Sequence, residues 1–274
     1  MNKVIFTQSD KYLMLAFDHR QGFNKILNPA HPELVSADEA LIAKELVIGV
    51  FASECSGLLL DPEVGLPAYQ NRTKPYLLCL EKSGYTNTDQ GRLTILEYKS
   101  AELKKLGASG TKLLIYFNPE ADNVKEQMNV VREALADSHA SGLPLFFEIV
   151  TYGYQEVGAT RGEWVERSVD MFLKAGILPD VFKIEYPEGD DSACARITEK
   201  LGTIPWILLT GGGSYDVFRD NLKKAMTAGC KGFLAGRAIW QEIGDYKTID
   251  EKQNFLYNIA KPRFVEIKKI ALGL

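Results

Sequence analysis

Short apolar runs recur along the whole chain, and longer segments with helical periodicity separate them. Most of these runs are continuously apolar rather than alternating, and Gly, Pro or Asp residues bound them. The eight runs cover residues 12–18, 56–61, 76–81, 111–117, 144–150, 180–186, 205–211 and 232–236. Continuous apolar runs are typical of parallel strands that are covered on both faces. The pattern therefore predicts a parallel sheet of eight strands.

Amphipathic helical segments lie between the apolar runs. The clearest cover residues 38–54, 124–142, 164–176 and 215–229. The last three end at a glycine, which is the usual residue at the C-terminal cap of a helix. Alternating strands and helices indicate an α/β protein built from βα units. Eight units favour a closed (β/α)8 TIM barrel, although periodicity alone also allows an open, doubly wound sheet.

Length and composition favour one domain. The chain has 274 residues, 46% of them hydrophobic, which is the usual size of a single barrel. No Gly/Ser linker, charge block or low-complexity tract interrupts the sequence. We therefore expect residues 1–274 to form a single barrel domain.

Charge and hydropathy argue against nucleic-acid and membrane partners. The 36 acidic and 32 basic side chains are interspersed and give a net charge of −4, so no basic stripe is available for a nucleic-acid backbone. The first fifteen residues lack the pattern of a signal peptide, and no apolar run is long enough to span a bilayer. Four widely spaced cysteines without a CxxC pair are expected to be buried free thiols. We expect a cytoplasmic protein.

Lys183 is the most unusual residue in the predicted strands. In barrels of this type, the reactive residues lie at the C-terminal ends of the strands. Lys183 interrupts an apolar run, and lysine is almost never fully buried without a partner. Burial disfavours its ammonium form and favours the free amine, which can form a Schiff base with a carbonyl group. A buried ion pair with Glu148 or Glu185 would explain the same residue equally well.

Three further charged residues lie in or directly after predicted strands. Lys112 could repel the charge of Lys183, although a lysine of this kind is more often an ion-pair partner than a nucleophile. Glu148 is isolated in an apolar strand, where a carboxyl group tends towards its neutral form and can then move protons during C–C cleavage. A salt bridge to a barrel lysine is the alternative. Asp18 could orient either lysine or pair with Arg20 at the rim.

Glycine-rich segments follow the last two strands. The loop after the seventh strand immediately precedes a helix, so its backbone N–H groups and the helix dipole are suited to a phosphate group. Its candidate phosphate-binding residues are Gly211, Gly212, Gly213 and Ser214. Gly236 and Arg237 follow the eighth strand, and barrels commonly bind phosphate at this position. A tight turn without a ligand is the alternative, but the position in the strand order favours a sugar-phosphate substrate.

A metal-dependent site has weaker support. The three histidines, His19, His31 and His139, are scattered, whereas a zinc site needs imidazoles that converge on one ion. An oxygen-ligand site for Mg²⁺ could form from carboxylates near adjacent strand ends. The candidates for it are Asp61, Glu63 and Glu81. We expect no metal and no cofactor.

The candidate residues lie in segments that resemble the class I tagatose-1,6-bisphosphate aldolases and the related 6-deoxy-6-sulfofructose-1-phosphate aldolases. The resemblance covers most of the chain and keeps the family order. Its motifs are LAFDHRQGF (15–23), LLLDPEVGLPA (58–68), LEKSGY (80–85), TKLLIYF (111–117), LPLFFEIVTY (143–152), DVFKIEYP (180–187), IPWILLTGGG (204–213) and AMTAGCKGFLAGRAIW (225–240). This series is far more specific than any single motif.

The resemblance implies a barrel lyase in which Lys183 forms the Schiff base and Glu148 is the acid/base residue. It also implies that Asp18 and Lys112 belong to the active site, that the two glycine-containing segments bind phosphate, and that the protein forms a homo-oligomer. The substrate would be a ketose 1-phosphate or bisphosphate of the tagatose or sulfofructose type, cleaved to dihydroxyacetone phosphate and an aldehyde. The alternatives are a Mg²⁺-dependent lyase, a phosphosugar isomerase or a non-catalytic sugar-phosphate sensor.

Two departures from the family pattern border the expected substrate. The chain reads AFDHRQG where the tagatose-bisphosphate enzymes usually have AFDQRG, and TGGG where both relatives have a serine-containing SAGV or SSGV stretch. It is also shorter, chiefly around the sixth strand. The identity of the sugar therefore does not carry over with the chemistry. Candidates for a second anion site are Arg20, Arg72 and Lys82.

Overall fold

A closed barrel of eight parallel strands dominates the computed structural model, which describes residues 2–190 and 192–274. We number the barrel strands in chain order as β1 (Lys11–Phe17), β2 (Gly57–Leu60), β3 (Tyr76–Cys79), β4 (Gly110–Phe117), β5 (Leu145–Thr151), β6 (Val181–Ile184), β7 (Trp206–Leu209) and β8 (Gly232–Ala235). Each strand pairs with its sequence neighbours, and β8 and β2 both pair with β1. The pairing closes the sheet, which confirms the barrel and excludes the open alternative.

Helices follow the strands on the outside of the barrel. The four predicted helices are Ala37–Phe51, Val124–Ala140, Arg161–Lys174 and Tyr215–Thr227. The remaining α-helices are Gln21–Leu27, Gly65–Ala68, Ser100–Lys105, Ala193–Leu201, Arg237–Trp240, Ile249–Phe255 and Lys261–Leu272. Short 3-10 turns cover Lys3–Phe6, Pro32–Leu34, Gln155–Val157 and Gln241–Asp245, and a π-helical turn covers Leu256–Ala260. None of the described helices is long and apolar enough to cross a membrane.

The N-terminal turn closes the bottom of the barrel, at the end where the strands begin. Phe6 is fully buried, and its ring lies edge-on against Phe146 at 5.2 Å between centroids. Tyr12 and Met14 complete this layer from β1, and all belong to one buried apolar cluster. Gly57 is required here, because a Cβ atom at that position would lie 2.8 Å from the Phe6 ring. The interior is therefore packed with side chains below the level of the polar residues.

The connection between β3 and β4 contains a small antiparallel hairpin that the apolar pattern did not predict. Its strands are Thr86–Thr88 and Gly91–Leu93. The stem continues down to the barrel, since Glu81 pairs with Leu96 and the Lys82 N–H donates to the Ile95 carbonyl at 2.9 Å. The hairpin therefore rises directly from the C-terminal end of β3.

The four cysteines are buried free thiols, as predicted: Cys55, Cys79, Cys194 and Cys230. Burial raises the pKa of the Cys55 and Cys230 thiols to about 12. Both thiols are therefore uncharged at neutral pH and pack as small apolar groups.

Candidate active site

A cavity of about 450 Å³ opens at the C-terminal ends of the barrel strands. Its walls combine polar groups from seven of the eight strands or from the residues directly after them. The predicted site residues that line it are Asp18, Arg20, Lys112, Glu148, Lys183, Gly211, Gly236 and Arg237. These residues are up to 219 positions apart in the sequence, and the closed barrel brings them together.

Lys183 and Glu148 are direct neighbours on adjacent strands. Their Cα atoms are paired in the β5–β6 register, and both side chains point into the barrel. Lys183 Nζ lies 2.8 Å from Glu148 Oε2, and Lys183 is only 4% exposed. Of the two ion-pair partners that the sequence allowed for Lys183, the structure selects Glu148. The Glu148 Oε2 atom contacts ammonium groups at ion-pair distance, although it is not aligned for a conventional hydrogen bond.

Lys112 is surrounded by carboxylates. Its Nζ atom donates to Asp18 Oδ2 at 2.8 Å and to Glu81 Oε1 at 2.5 Å, and it lies 3.3 Å from Glu148 Oε2. Burial by itself would lower the pKa of this lysine, but the negative charges of Asp18, Glu81 and Glu148 outweigh burial and raise it. Lys112 therefore remains an ammonium ion at neutral pH.

Asp18 and Glu81 respond to Lys112 in opposite directions. Burial would raise the pKa of Asp18, but the charge of Lys112, followed by His19 and Lys183, lowers it well below the usual range. The pKa of Glu81 is raised, because burial outweighs the attraction of Lys112 and the nearby Asp18 carboxylate adds repulsion. Asp18 is thus the permanent anion of this group, and Glu81 takes up a proton more readily.

Glu185, the other proposed partner of Lys183, has a different role. Its Oε2 atom accepts hydrogen bonds from the backbone N–H and the hydroxyl group of Thr151, both at 2.7 Å. Burial raises the pKa of Glu185, and these hydrogen bonds oppose that effect. Glu185 therefore ties the ends of β5 and β6 together on the cavity wall.

His19 lies between the acidic group and the loops that follow β7 and β8. Its ring is edge-on to Trp240, with 5.1 Å between centroids, and its Nδ1 atom lies 3.9 Å from Asp18 Oδ1. Burial lowers the pKa of His19 to about 4, although Asp18 opposes the shift. The side chain is still 24% exposed on the cavity side. This neutral imidazole occupies the position where the related sequences usually have glutamine.

The loops after β7 and β8 meet on one side of the cavity. Gly211 and Gly236 line it together with Arg237. A Cβ atom on Gly212, whose φ is +78°, would lie 2.8 Å from the Arg237 guanidinium, so glycine permits this close approach. Within the described parts of the chain, the Arg237 side chain forms no ion pair or hydrogen bond with protein groups. A cationic group and glycine backbone therefore face the same space.

The remaining residues of the β7 loop lie further from this space. Gly212 and Gly213 line a smaller cavity of about 250 Å³ behind the loop. The Gly213 N–H donates to the Thr210 carbonyl, and the Ser214 hydroxyl caps the following helix by accepting from the Val217 N–H. Of the predicted loop, Gly211 is thus the glycine that borders the main cavity.

The three candidates for a second anion site have different surroundings. The Arg20 guanidinium is paired with Glu63 at 3.0 Å and Glu97 at 2.9 Å, not with Asp18. Lys82 lines the cavity and is exposed. Arg72 precedes β3 and donates to the carbonyl groups of Tyr69 and Leu106, at the N-terminal end of the barrel. The prediction for Arg72 is therefore wrong, since the residue lies at the end opposite the cavity.

The carboxylates of the alternative Mg²⁺ site are separated by their cationic partners. Asp61 is fully buried and pairs with the equally buried Lys44 outside the cavity. Glu63 pairs with Arg20, and Glu81 with Lys112. In residues 2–190 and 192–274, no cluster of three His, Cys, Asp or Glu side chains has an arrangement that could hold a metal ion.

Glu81 and Tyr116 are cavity residues that the predicted site did not include. Glu81 was considered only as a metal ligand, but it follows Cys79 by two positions and therefore shares the inward face of β3. Tyr116 lies four residues after Lys112 and lines the cavity from β4. The same alternation would have identified it, but tyrosine in an apolar strand gives no other sign of a functional role.

Known proteins match this chain in sequence over most of its length. The model of the DeoC/LacD family aldolases matches residues 12–242. Tagatose 1,6-diphosphate aldolase from Staphylococcus aureus (strain JH9) is 30% identical, and the match covers 82% of this chain and 79% of that protein.

Solved structures share the fold at lower sequence identity. An archaeal fructose-1,6-bisphosphate aldolase, with its catalytic lysine bound to a carbinolamine intermediate, superposes with a TM-score of 0.71 at 19% identity, over 98% of this chain and 96% of that one. A fructose-bisphosphate aldolase from Slackia heliotrinireducens gives 0.65 at 14% identity, over 96% and 86%. The family match and the staphylococcal relative establish that this chain belongs to the DeoC/LacD family of aldolases.

Proposed function

We propose that the protein is a class I aldolase that cleaves a ketose 1-phosphate or ketose bisphosphate to dihydroxyacetone phosphate and an aldehyde, with Lys183 as the Schiff-base residue. The contact between Lys183 Nζ and Glu148 Oε2 at 2.8 Å carries this proposal. It places an amine and a proton acceptor together on the wall of a polar cavity. Schiff-base chemistry needs both groups, because the amine must lose a proton before it attacks a carbonyl.

Formation of the Schiff base uses Glu148 as a proton relay. Glu148 takes a proton from the Lys183 ammonium, and the free amine adds to the C2 carbonyl of the ketose. The carbinolamine oxygen then receives protons through Glu148 and leaves as water. The net change converts one ammonium ion and one ketone to one iminium ion and one water molecule, so Glu148 ends as a carboxylate.

Cleavage uses the same carboxylate. Glu148 removes the proton of the C4 hydroxyl group, the C3–C4 bond breaks, and its electron pair moves towards the iminium nitrogen to form an enamine. The aldehyde leaves. Glu148 returns its proton to C3, and water hydrolyses the iminium to dihydroxyacetone phosphate and the lysine ammonium. Protons therefore balance over the cycle without another acid.

Lys112 supports this cycle as a fixed charge and not as a second nucleophile. Its raised pKa keeps it protonated, so it offers no free amine. Its ammonium group stabilises the Glu148 carboxylate from 3.3 Å and holds Asp18 beside it. The family resemblance and this geometry support the same assignment of roles to the two lysines.

The phosphate group at C1 is assigned to the side of the cavity next to β7 and β8. Gly211 and Gly236 offer backbone there, and Arg237 offers a guanidinium group that is not neutralised by a described carboxylate. Arginine and backbone N–H groups are common ligands of phosphate. Because β7 follows β6, a phosphate at this place leaves C2 near Lys183.

The substrate is assigned by class. The staphylococcal relative is named for tagatose 1,6-diphosphate, and two structural neighbours for fructose 1,6-bisphosphate. Ketose 1,6-bisphosphates are therefore the first substrates to test, followed by sulfofructose phosphate. A screen of aldehyde acceptors together with dihydroxyacetone phosphate would identify the leaving aldehyde.

The proposal extends to the whole chain and its setting. We assign residues 1–274 to one catalytic unit that acts as a homo-oligomer in the cytoplasm, in line with the family resemblance. Light scattering on the purified protein tests the assembly, and a mass equal to one chain, 30.5 kDa, would contradict it.

Reductive trapping tests the central assignment. Borohydride reduction in the presence of dihydroxyacetone phosphate should leave a covalent adduct on Lys183, located by peptide mass spectrometry. Lys183→Met should abolish the adduct, whereas Lys112→Met should still permit it. An adduct found only on Lys112, or no adduct at all, would refute the proposal. Activity that survives exhaustive EDTA treatment would exclude the Mg²⁺-dependent alternative.

A further inference from the structure

Arg92 lies outside the cavity, in the hairpin between β3 and β4, and packs against three tyrosine rings. Its guanidinium carbon lies 4.2 Å from the ring centroid of Tyr152, 4.5 Å from that of Tyr85 and 5.7 Å from that of Tyr116. No carboxylate in the described residues pairs with it. Its partners are therefore the ring faces, which attract a cation electrostatically.

The backbone of Arg92 is held as firmly as its side chain. Its N–H donates to the Tyr152 hydroxyl at 2.9 Å, and its carbonyl accepts from Asn123 Nδ2 at 2.9 Å and Gln127 Nε2 at 2.6 Å. The residues at the tip of the hairpin are exposed. Arg92 is thus the point at which the hairpin is fixed to the barrel.

This point is connected to the cavity by two short paths. Tyr85 directly follows Lys82, Ser83 and Gly84, which line the cavity. The Tyr85 ring lies edge-on to Tyr116, with 4.6 Å between centroids, and Tyr116 lines the cavity from β4. A shift of the Arg92 guanidinium would therefore be transmitted through Tyr85 to the neighbouring cavity residues 83–84 on one path and to the Tyr116 ring on the other.

These cavity residues lie across the barrel from the phosphate side. In a closed ring of eight strands, β3 is opposite β7 and β4 is opposite β8. A ketose phosphate with its C1 phosphate near β7 and β8 and C2 at Lys183 extends its remaining carbons towards β3 and β4. The aldehyde half of the substrate thus meets the surface that Arg92 holds in place.

We propose that Arg92 is a positioning residue that fixes the aldehyde-binding side of the cavity through Tyr85 and Tyr116. This inference rests on the proposed aldolase function. Loss of the arginine should weaken binding of the aldehyde half and leave binding of dihydroxyacetone phosphate intact, because the phosphate side does not depend on the hairpin.

The test uses the synthesis direction with two aldehydes, glyceraldehyde 3-phosphate and unphosphorylated glyceraldehyde. Arg92→Ala should raise the KM of both aldehydes about tenfold, as expected for the loss of a partly desolvated cation–π cluster. The dihydroxyacetone phosphate concentration for half-maximal trapping on Lys183 should stay unchanged. Arg92→Lys keeps the charge but not the planar group, and should restore part of the loss.

Matched variants separate this role from general destabilisation. Arg167 also stacks on an aromatic ring, with its guanidinium carbon 5.4 Å from the centroid of Trp164, but it lies on an outer helix. Arg167→Ala should therefore change neither the KM of the two aldehydes nor the dihydroxyacetone phosphate concentration for half-maximal trapping. Tyr85→Leu removes one ring at a partly exposed position and should raise the aldehyde KM in the same direction. If the Arg92→Ala protein does not fold, the Tyr85→Leu variant decides the test.

Three outcomes would overturn the inference. They are an unchanged aldehyde KM, an equal loss for dihydroxyacetone phosphate, and a loss confined to the phosphorylated aldehyde, which would make Arg92 a direct anion contact. Failure of wild-type trapping would instead refute the aldolase proposal itself.

Discussion

Three carboxylates and two lysines share the buried floor of the cavity, so each charge depends on its neighbours. Lys112 contacts Asp18, Glu81 and Glu148, whereas Glu148 is the one described carboxylate that forms an ion pair with Lys183. Removal of one member of such a group leaves an opposite charge uncompensated in a region of low dielectric constant. The charges that the proposed chemistry needs therefore also determine the stability of the fold at these residues.

Replacement of Lys112 by methionine should destabilise the fold by about 3–5 kcal/mol at neutral pH, the usual effect of breaking a buried ion pair from one side. Urea unfolding would measure the loss. Lys99→Met is the matched control, because Lys99 is 59% exposed where it pairs with Glu133, and its loss should change stability little. A Lys112→Met protein as stable as Lys99→Met would contradict the account of the ion cluster.

The destabilisation by Lys112→Met should also depend on pH. Asp18 has a lowered pKa in the folded state, so it contributes stability above its unfolded pKa of about 4 and loses it as pH falls further. Lys112 has a raised pKa, so its contribution is complete below about pH 10 and is lost as pH rises through the folded-state value. The difference in the free energy of unfolding between wild type and Lys112→Met should be largest between about pH 4 and pH 10, and it should become smaller in acid.

Glu148→Gln should slow both Schiff-base formation and cleavage, because the proposed mechanism uses the Glu148 carboxylate in both steps. Loss of the carboxylate removes the group that takes the C4 hydroxyl proton, so kcat should fall by about 10²–10⁴. Steady-state cleavage of a ketose 1,6-bisphosphate measures this effect, and Glu120→Gln on the protein surface is the control. A Glu148→Gln enzyme with wild-type kcat would exclude Glu148 as the proton acceptor.

Single elements differed in how clearly the sequence specified them. All eight strands were predicted, because a strand covered on both faces is apolar throughout and stands out from its flanking turns. The hairpin at residues 86–93 was not predicted, since its three-residue strands are exposed or half-buried and carry no apolar signal. Hydrogen bonds from distant side chains hold it, and these depend on the tertiary structure.

At the candidate site, too, the sequence predicted the unusual residues but not the contacts that depend on the tertiary structure. The positions of Lys183 and Glu148 followed from charged residues in apolar strands, which a buried strand tolerates only for a reason. The choice of Glu148 over Glu185 as the partner of Lys183 depends on strand register, which the sequence did not fix. Arg72 became a candidate because of its charge. It precedes β3, and a residue before a strand lies at the end of the barrel opposite the cavity.

The N-terminal turn should be a large contributor to stability among the short elements. Phe6→Ala removes a fully buried ring from the bottom of the barrel and should cost about 3–5 kcal/mol in urea unfolding. Val4→Ala in the same turn is the control, since Val4 is 62% exposed. Lys183, Glu148 and the proposed phosphate-binding loops lie at the other end, so kcat of the folded Phe6→Ala protein should be unchanged. A loss no larger than that of Val4→Ala would show that the turn is not part of the core.

At the scale of the whole molecule, the two ends of the barrel have different tasks. Residues at or before the first residues of the strands close the core, as with Phe6 and Gly57, and residues in the upper part of the strands or after them form the cavity. The C-terminal helix packs on the outside of the barrel, because Phe264 lies against the rings of Phe51 and Phe233. Substitutions at the closed end should therefore alter stability and not catalysis, whereas those in the charged group at the open end should alter both.

In the described part of the chain, the packed lower end of the barrel closes the cavity from below, and the cavity opens at the C-terminal ends of the strands. Under the proposed mechanism, the water that hydrolyses the iminium cannot reach Lys183 from below, because Phe6, Tyr12 and Met14 fill the interior. It has to enter along the path by which the aldehyde departs. As long as the aldehyde remains bound, the enamine is shielded from premature hydrolysis, and the products leave in a fixed order, with the aldehyde first and dihydroxyacetone phosphate last.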